Sequence, residues 1–154
     1  MKAIPFDRSV LKVNQTILMT CIAGAYFAGV FWRPAVAALP ALALMMLAGA
    51  ASPRTNLPRL LYARVLKPRH LVRPRVVEED PAPHRFAQLV GGVFLAAASV
   101  AALLGAVGIA WILGWIVAAL AFLNFAFDIC VGCIMYAQLV RIGLFPLRRR
   151  PETT

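Results

Sequence analysis

Four apolar runs constrain this chain more than any other feature, at about residues 15–32, 35–51, 85–105 and 109–128. About 20 helical residues cross a bilayer, and each run is near that length. Inside a bilayer no water can satisfy stray backbone N–H and C=O groups, so such runs must fold as helices. Composition agrees: 62% of residues are hydrophobic and 14% charged, with a mean hydropathy of +0.79. Soluble domains carry about 45–50% apolar and about 25% charged residues. The expected fold class is therefore all-α membrane protein. Residues 1–154 read as a single integral membrane domain of four transmembrane helices arranged as two tandem hairpins. Pro40 lies within the second run and predicts a kink there. The opening residues hold Asp7, Arg8, Lys12 and Asn14 and lack a small-residue cleavage site, so the first run is expected to be a retained span, with no signal peptide removed.

Net charge is +10, and its placement predicts orientation. Lys2, Arg8 and Lys12 precede the first run. The loop 52–84 holds Arg54, Arg59, Arg64, Lys67, Arg69, Arg73 and Arg75, and Arg85 follows it. Arg141 precedes the tail 142–154, which carries Arg148, Arg149 and Arg150. The opposite hairpins offer only Arg33. Basic residues mark cytoplasmic loops, so both termini and the central loop are expected in the cytoplasm, in a multi-pass membrane protein. Once the spans are removed no compact basic fold remains, which argues against nucleic acid and leaves membrane lipid as the expected partner of the charge. Within the loop, Asn56 to Lys67 reads as a short amphipathic helix lying in the headgroup layer, with Leu57, Leu60, Leu61 and Val65 on one face. Pro68 to Pro83 reads as extended loop and the tail beyond Pro146 as disordered.

Reactive groups meet a span in one place, Asn124 to Tyr136, where Cys130 and Cys133 form a Cys-x-x-Cys pair just after Asp128. On a helix the two thiols share a face and a local disulfide is feasible. A pair at a cytoplasmic surface is more often catalytic or metal-binding than structural. Reactivity requires the thiolate, which a nearby cation or a helix N-terminus favours; the central basic loop returns to the same surface. Gly132 between the thiols admits close approach of another backbone. Asp128 is a candidate proton acceptor, or else an interfacial partner of Lys12 or Arg85, and with Asn124 it makes a polar stripe one turn long. The competing reading of both cysteines is small apolar packing. Cys21 reads as a buried packing residue, with a resolving thiol facing Cys130 as the alternative. Zinc would require two further ligands. His70 and His84 match no usual spacing and read as loop residues, so no metal is expected. Trp111, Trp115, Phe31, Trp32 and Tyr136 read as interface anchors or lipid-facing bulk. No phosphate loop, nucleophile elbow or hydrolytic carboxylate pair appears, and no cofactor is expected.

The halves also resemble each other at an offset of about 73–74 residues. Asp7 and Gln15 correspond to Asp80 and Gln88, and Lys12 to Arg85. Leu61-Tyr62-Ala63-Arg64-Val65-Leu66-Lys67 corresponds to Met135-Tyr136-Ala137-Gln138-Leu139-Val140-Arg141. A duplication of this kind relates the halves by an axis along the membrane normal. Asn56 and Arg59 then stand where the second half has Cys130 and Cys133, so the thiol pair belongs to one half only.

Asp7 and Asn14-Gln15, Asp80-Pro81 with Arg85-Phe86-Ala87-Gln88, and Phe127 to Tyr136 together resemble the small bacterial membrane family catalogued as domain of unknown function 4395. The resemblance covers nearly the whole chain and implies four spans but no established activity. Members are often encoded near thioredoxin-like or sulfurtransferase proteins, which makes either a plausible cytoplasmic partner. The expected function is thiol-redox or sulfur-relay chemistry: one of Cys130 and Cys133 attacks a disulfide or accepts a persulfide, the other resolves the intermediate, and Asp128 handles protons. Two alternatives stand beside it. One is a non-catalytic accessory or scaffold subunit of a larger membrane complex. The other is a small transporter of a sulfur compound, which would require an oligomer.

Overall fold

The computed structural model describes residues 4–52, 56–66, 76–79 and 81–143. Its elements run in the order β1 (Ile4–Asp7), α1 (Arg8–Phe31), a 3-10 turn (Arg33–Ala37), α2 (Ala38–Ala51) and α3 (Leu57–Leu61), which continues as a π-helical turn (Tyr62–Leu66). Then follow β2 (Val76–Glu79), α4 (Pro81–Leu103), α5 (Val107–Phe127) and α6 (Val131–Arg141). The fold is an all-α membrane bundle with one added feature, an antiparallel pairing of β1 with β2 from Ile4↔Glu79 to Asp7↔Val76. His70 and the tail beyond Pro146 lie outside the described residues.

Four helical segments are long and apolar enough to cross a membrane: Arg8–Phe31, Arg33–Ala51, Pro81–Leu103 and Val107–Phe127. At most 28% of the most apolar stretch of each is buried inside the bundle, so the greater part of their apolar surface faces outward, as lipid contact requires. The helices begin and end close to the expected positions, with two departures. First, α1 and α4 start several residues before the apolar runs, because Arg8 and Pro81 already have helical backbone; proline suits a first helical position, where the N–H would lack a partner anyway. Second, Pro40 makes no kink. The 3-10 turn precedes α2, so Pro40 sits in the first turn of α2, where a missing N–H costs nothing.

The core gathers where α1, α2, α4 and α5 meet, around Ile22, Leu39, Leu95 and Ala98, all fully buried. Small residues let backbones approach, the usual device where lipid removes the hydrophobic drive between helices. A Cβ at Gly92 would stand 2.8 Å from Leu47, and one at Gly114 would touch Leu39 at 3.4 Å. The hairpin between α4 and α5 closes at Gly105, whose φ of +82° is open to glycine at no steric cost. At that far end Tyr26 packs edge-on against Trp111 and Trp115, with ring centroids 5.2 and 5.5 Å apart.

The start of α1, the end of α2, the start of α4 and the end of α5 share the opposite end of the bundle. Lys12 pairs with Asp128 across 3.7 Å. Arg85 donates to the carbonyl oxygens of Ala50 and Ala51 at 2.8–3.0 Å, satisfying the unpaired last carbonyls of α2. α3 packs at this end through Pro58 and Tyr62, both buried, and leaves Leu57 and Leu61 exposed. Of the expected apolar face, Leu57 and Leu61 are thus exposed while Leu60 and Val65 are half-buried. Residues 76–79 form a strand where extended loop was expected, and 81–83 already belong to α4.

Candidate functional site

The chain does not continue as helix through the thiol pair. α5 stops at Asp128, whose φ of 54° and ψ of 21° place it in the left-handed region. Aspartate tolerates that region better than most side chains. Cys130 then has extended backbone and serves as N-cap of α6, its Sγ accepting a hydrogen bond from the Cys133 backbone N–H at 3.3 Å. The pair therefore occupies the opening turn of a new helix instead of one face of a continuous span. Its thiols sit at the positive end of the α6 dipole, where an anion is favoured.

α6 is held against α4 by three contacts. A Cβ on Gly132 would lie 2.5 Å from the Ala87 side chain and 2.6 Å from its Cα, so only glycine permits this approach. The close backbone that Gly132 admits is the chain's own α4. The rings of Phe86 and Tyr136 pack 5.6 Å apart. His84 Nδ1 lies 3.5 Å from Cys133 Sγ. His84 is thus a helical residue of α4, one turn before Gln88, and not a loop residue as expected from the sequence. The three groups form a cluster in which His84 nitrogen, Cys130 Sγ and Cys133 Sγ all lie within 4.8 Å of one another, each half-buried. All three cysteines are free thiols. As metal donors the cluster would be a soft two-sulfur, one-nitrogen set, one protein ligand short of the closed tetrahedral shell of structural zinc.

The electrostatics favour the thiolate. The Cys130 thiol is pulled down from its ordinary value to about 5: the Cys133 side chain hydrogen-bonds to it, burial opposes the shift, and His84 contributes a further hydrogen bond and positive charge. Among the described residues, the positive charge acting on the thiol is that of His84. Arg85 is engaged by the carbonyls of α2, while Arg54, Lys67, Arg69, Arg73 and Arg75 lie outside the described residues.

Asp128 lies beside the cluster without joining it. It shares a small cavity of about 30 Å³ with Cys130, His84 and Lys12. Its ion pair with Lys12 leaves the two side chains 43% and 39% exposed, so the pair is weak on solvent-screening grounds. Cys21 is exposed on α1, neither buried in the core nor part of the cluster. Below the thiols a larger cavity of about 120 Å³ opens between α1, α4, α5 and α6. Sequence reasoning missed His84 because two prolines flank its segment. A usable signal was its four-residue spacing from Gln88, which puts both on one helix face.

The family model for domain of unknown function 4395 (DUF4395) matches residues 6–141, from within β1 to the end of α6, with all four long helices between. The chain belongs to the DUF4395 family. No curated protein and no solved structure matches it. The DUF4395 match reaches Arg141, the last residue of α6, so the matched region contains the whole cluster.

Proposed function

We propose that this DUF4395 protein is a membrane thiol–disulfide exchange protein acting through Cys130 and Cys133. The observation that carries the reading is Cys130 as N-cap of α6, its sulfur held by Cys133 and next to His84. In one direction the Cys130 thiolate attacks a sulfur of a partner disulfide, forming a mixed disulfide and releasing the partner's other sulfur as thiolate. The Cys133 proton passes to the released partner thiolate. Cys133 sulfur then attacks Cys130 sulfur, the mixed disulfide breaks, and the partner leaves fully reduced while the pair is oxidised. The reverse sequence passes the disulfide outward. A persulfide enters by the same attack, with Cys130 as acceptor. Asp128 holds Lys12 at the rim, where its carboxylate is available to exchange protons with water. The implied partner is a soluble thioredoxin-like or sulfurtransferase protein. We place the site at the cytoplasmic face of a bacterial inner membrane, because Arg8, Lys12, Arg59, Arg64, Arg85 and Arg141 all belong to the site's end of the bundle.

The test uses a small soluble disulfide, oxidised glutathione, on Cys21→Ala protein in inverted vesicles and in spheroplasts. With Cys133→Ser added, a stable glutathione adduct is expected on Cys130, and only in inverted vesicles. With both thiols present, the expected product is the Cys130–Cys133 disulfide. No adduct on either preparation would sink the exchange reading, and an adduct in spheroplasts alone would reverse the orientation.

We also infer that the halves arose by tandem duplication. Asn56 caps α3 by accepting from the Arg59 backbone N–H at 3.1 Å, the arrangement Cys130 and Cys133 make 74 positions later. On this reading the first half supplies the scaffold and the second carries the chemistry.

A further inference from the structure

The 120 Å³ cavity under the thiol pair is polar at one end and apolar at the other. Its deep wall is Leu18, Met46 and Val117, and its mouth includes Cys130. Between them stand two amides, Asn14 and Gln15, whose Oδ1 and Oε1 are buried and have no hydrogen-bond partner among the described residues. Gln15 as a whole is only 6% exposed. Leaving such atoms unpaired is costly, so they point to a ligand with polar atoms. Phe94 and Met135 also line the cavity and are 37% and 46% exposed, so its rim reaches the outer surface of α4 and α6, where lipid would lie.

We propose that this cavity binds the ring of an isoprenoid quinone, and that the quinone accepts electrons from Cys130 and Cys133. The inference rests on the thiol-exchange reading and supplies its electron acceptor. A quinone presents carbonyl acceptors and its reduced form presents hydroxyl donors. Amide side chains offer both a donor and an acceptor, so one site serves both forms. The apolar tail leaves past Phe94 and Met135. In the reaction a sulfur–sulfur bond forms between Cys130 and Cys133 and two oxygen–hydrogen bonds form on the ring. The two sulfurs lose two electrons and the quinone gains them. One proton comes from Cys133 and the other from solvent, since Cys130 enters as thiolate. The oxidised pair then takes electrons from a partner dithiol, so electrons run from soluble partner to membrane quinone.

The experiment uses the whole protein, reduced, in lipid nanodiscs without oxygen. The probe is a benzoquinone with every ring position substituted and a short alkyl tail, which blocks thiol addition to the ring. Hydroquinone formation is followed by absorbance and the Cys130–Cys133 disulfide by mass spectrometry, with exchange against oxidised glutathione measured in parallel. One disulfide per hydroquinone is expected. Gln15→Leu removes the whole amide, the NH2 that donates to the quinone and the oxygen that accepts from the hydroquinone, at similar size, so it keeps the fold. It should slow quinone reduction about tenfold more than glutathione exchange, the effect of one lost hydrogen bond. Glutathione exchange without quinone reduction would overturn the quinone site alone. So would quinone reduction that Gln15→Leu slows no more than exchange. If the pair reacts with neither, the exchange reading falls and the quinone proposal with it.

Discussion

At the scale of single residues, the chemistry depends on what surrounds one sulfur. Cys130 is held at about 5 by Cys133 first and His84 second, against the cost of burial. The folded thiol is depressed below its ordinary value, so the thiolate persists at neutral pH and is lost as pH falls through about 5. Site-resolved alkylation in a Cys21→Ala background should therefore give a Cys130 rate that is level above that midpoint and falls about tenfold per pH unit below it. Cys133→Ala should raise the midpoint most, and His84→Ala by less. A midpoint unmoved by either variant would mean that the cluster does not stabilise the thiolate. The pair itself was legible from its spacing, because two cysteines three apart can meet on any helical turn. His84 was not, because its partner lies 49 positions away and Pro81 and Pro83 make its surroundings read as loop. Cys21 reversed the other way: an apolar neighbourhood suggested burial, but in a membrane bundle the outward face of a helix is equally apolar.

At the scale of elements, the position of α6 decides whether the cluster exists. Four apolar helices were readable because the bilayer demands length and hydropathy, which sequence displays directly. The fourth run was expected to end at Asp128, and α5 is capped there; the restart as a separate helix capped by Cys130 was not readable, since nothing in Phe127-Asp128-Ile129 is a strong helix breaker and α6 docks on α4. That docking turns on Gly132 against Ala87. Gly132→Ala should push α6 off α4 and cost about 1–3 kcal/mol, the usual penalty of overpacking. Because Cys133 follows Gly132 by one residue, the same variant should lengthen the Cys133–His84 contact and raise the Cys130 alkylation midpoint. Thermal unfolding in nanodiscs and the alkylation profile check the two effects together. Loss of stability with an unmoved midpoint would separate the docking of α6 from the tuning of the thiol. Arg85 shows the same tertiary control. Its sequence position suggested a partner for Asp128, yet three hydrogen bonds tie it to the end of α2, leaving Asp128 to Lys12.

At the scale of the whole molecule, the proposed duplication, with a site in one half only, makes a specific demand. If the halves are duplicated, α3 holds at its N-terminus a copy of the thiol cap in which Asn56 and Arg59 replace Cys130 and Cys133. The position matching His84, 73 residues earlier, is Leu11, so that copy has no imidazole. Introducing Asn56→Cys and Arg59→Cys, with Cys130→Ser, Cys133→Ser and Cys21→Ala, transfers the pair to the scaffold half. The caps survive the change, because serine is a strong N-cap in its own right. The transferred pair should be alkylated from the same side of the membrane as the native one, since α3 and α6 share one end of the bundle. Its first thiol keeps the helix N-terminus and the neighbouring thiol but lacks the charge that His84 lends Cys130. Its alkylation midpoint should therefore lie clearly above 5, and adding Leu11→His should draw it back down. A midpoint as low as that of Cys130 without the histidine would assign the tuning to the cap alone. Labelling from the opposite side would break the duplication. The two-fold arrangement thus becomes testable through a thiol in the half that naturally has none at its cap, where the chemistry is absent and the geometry is not.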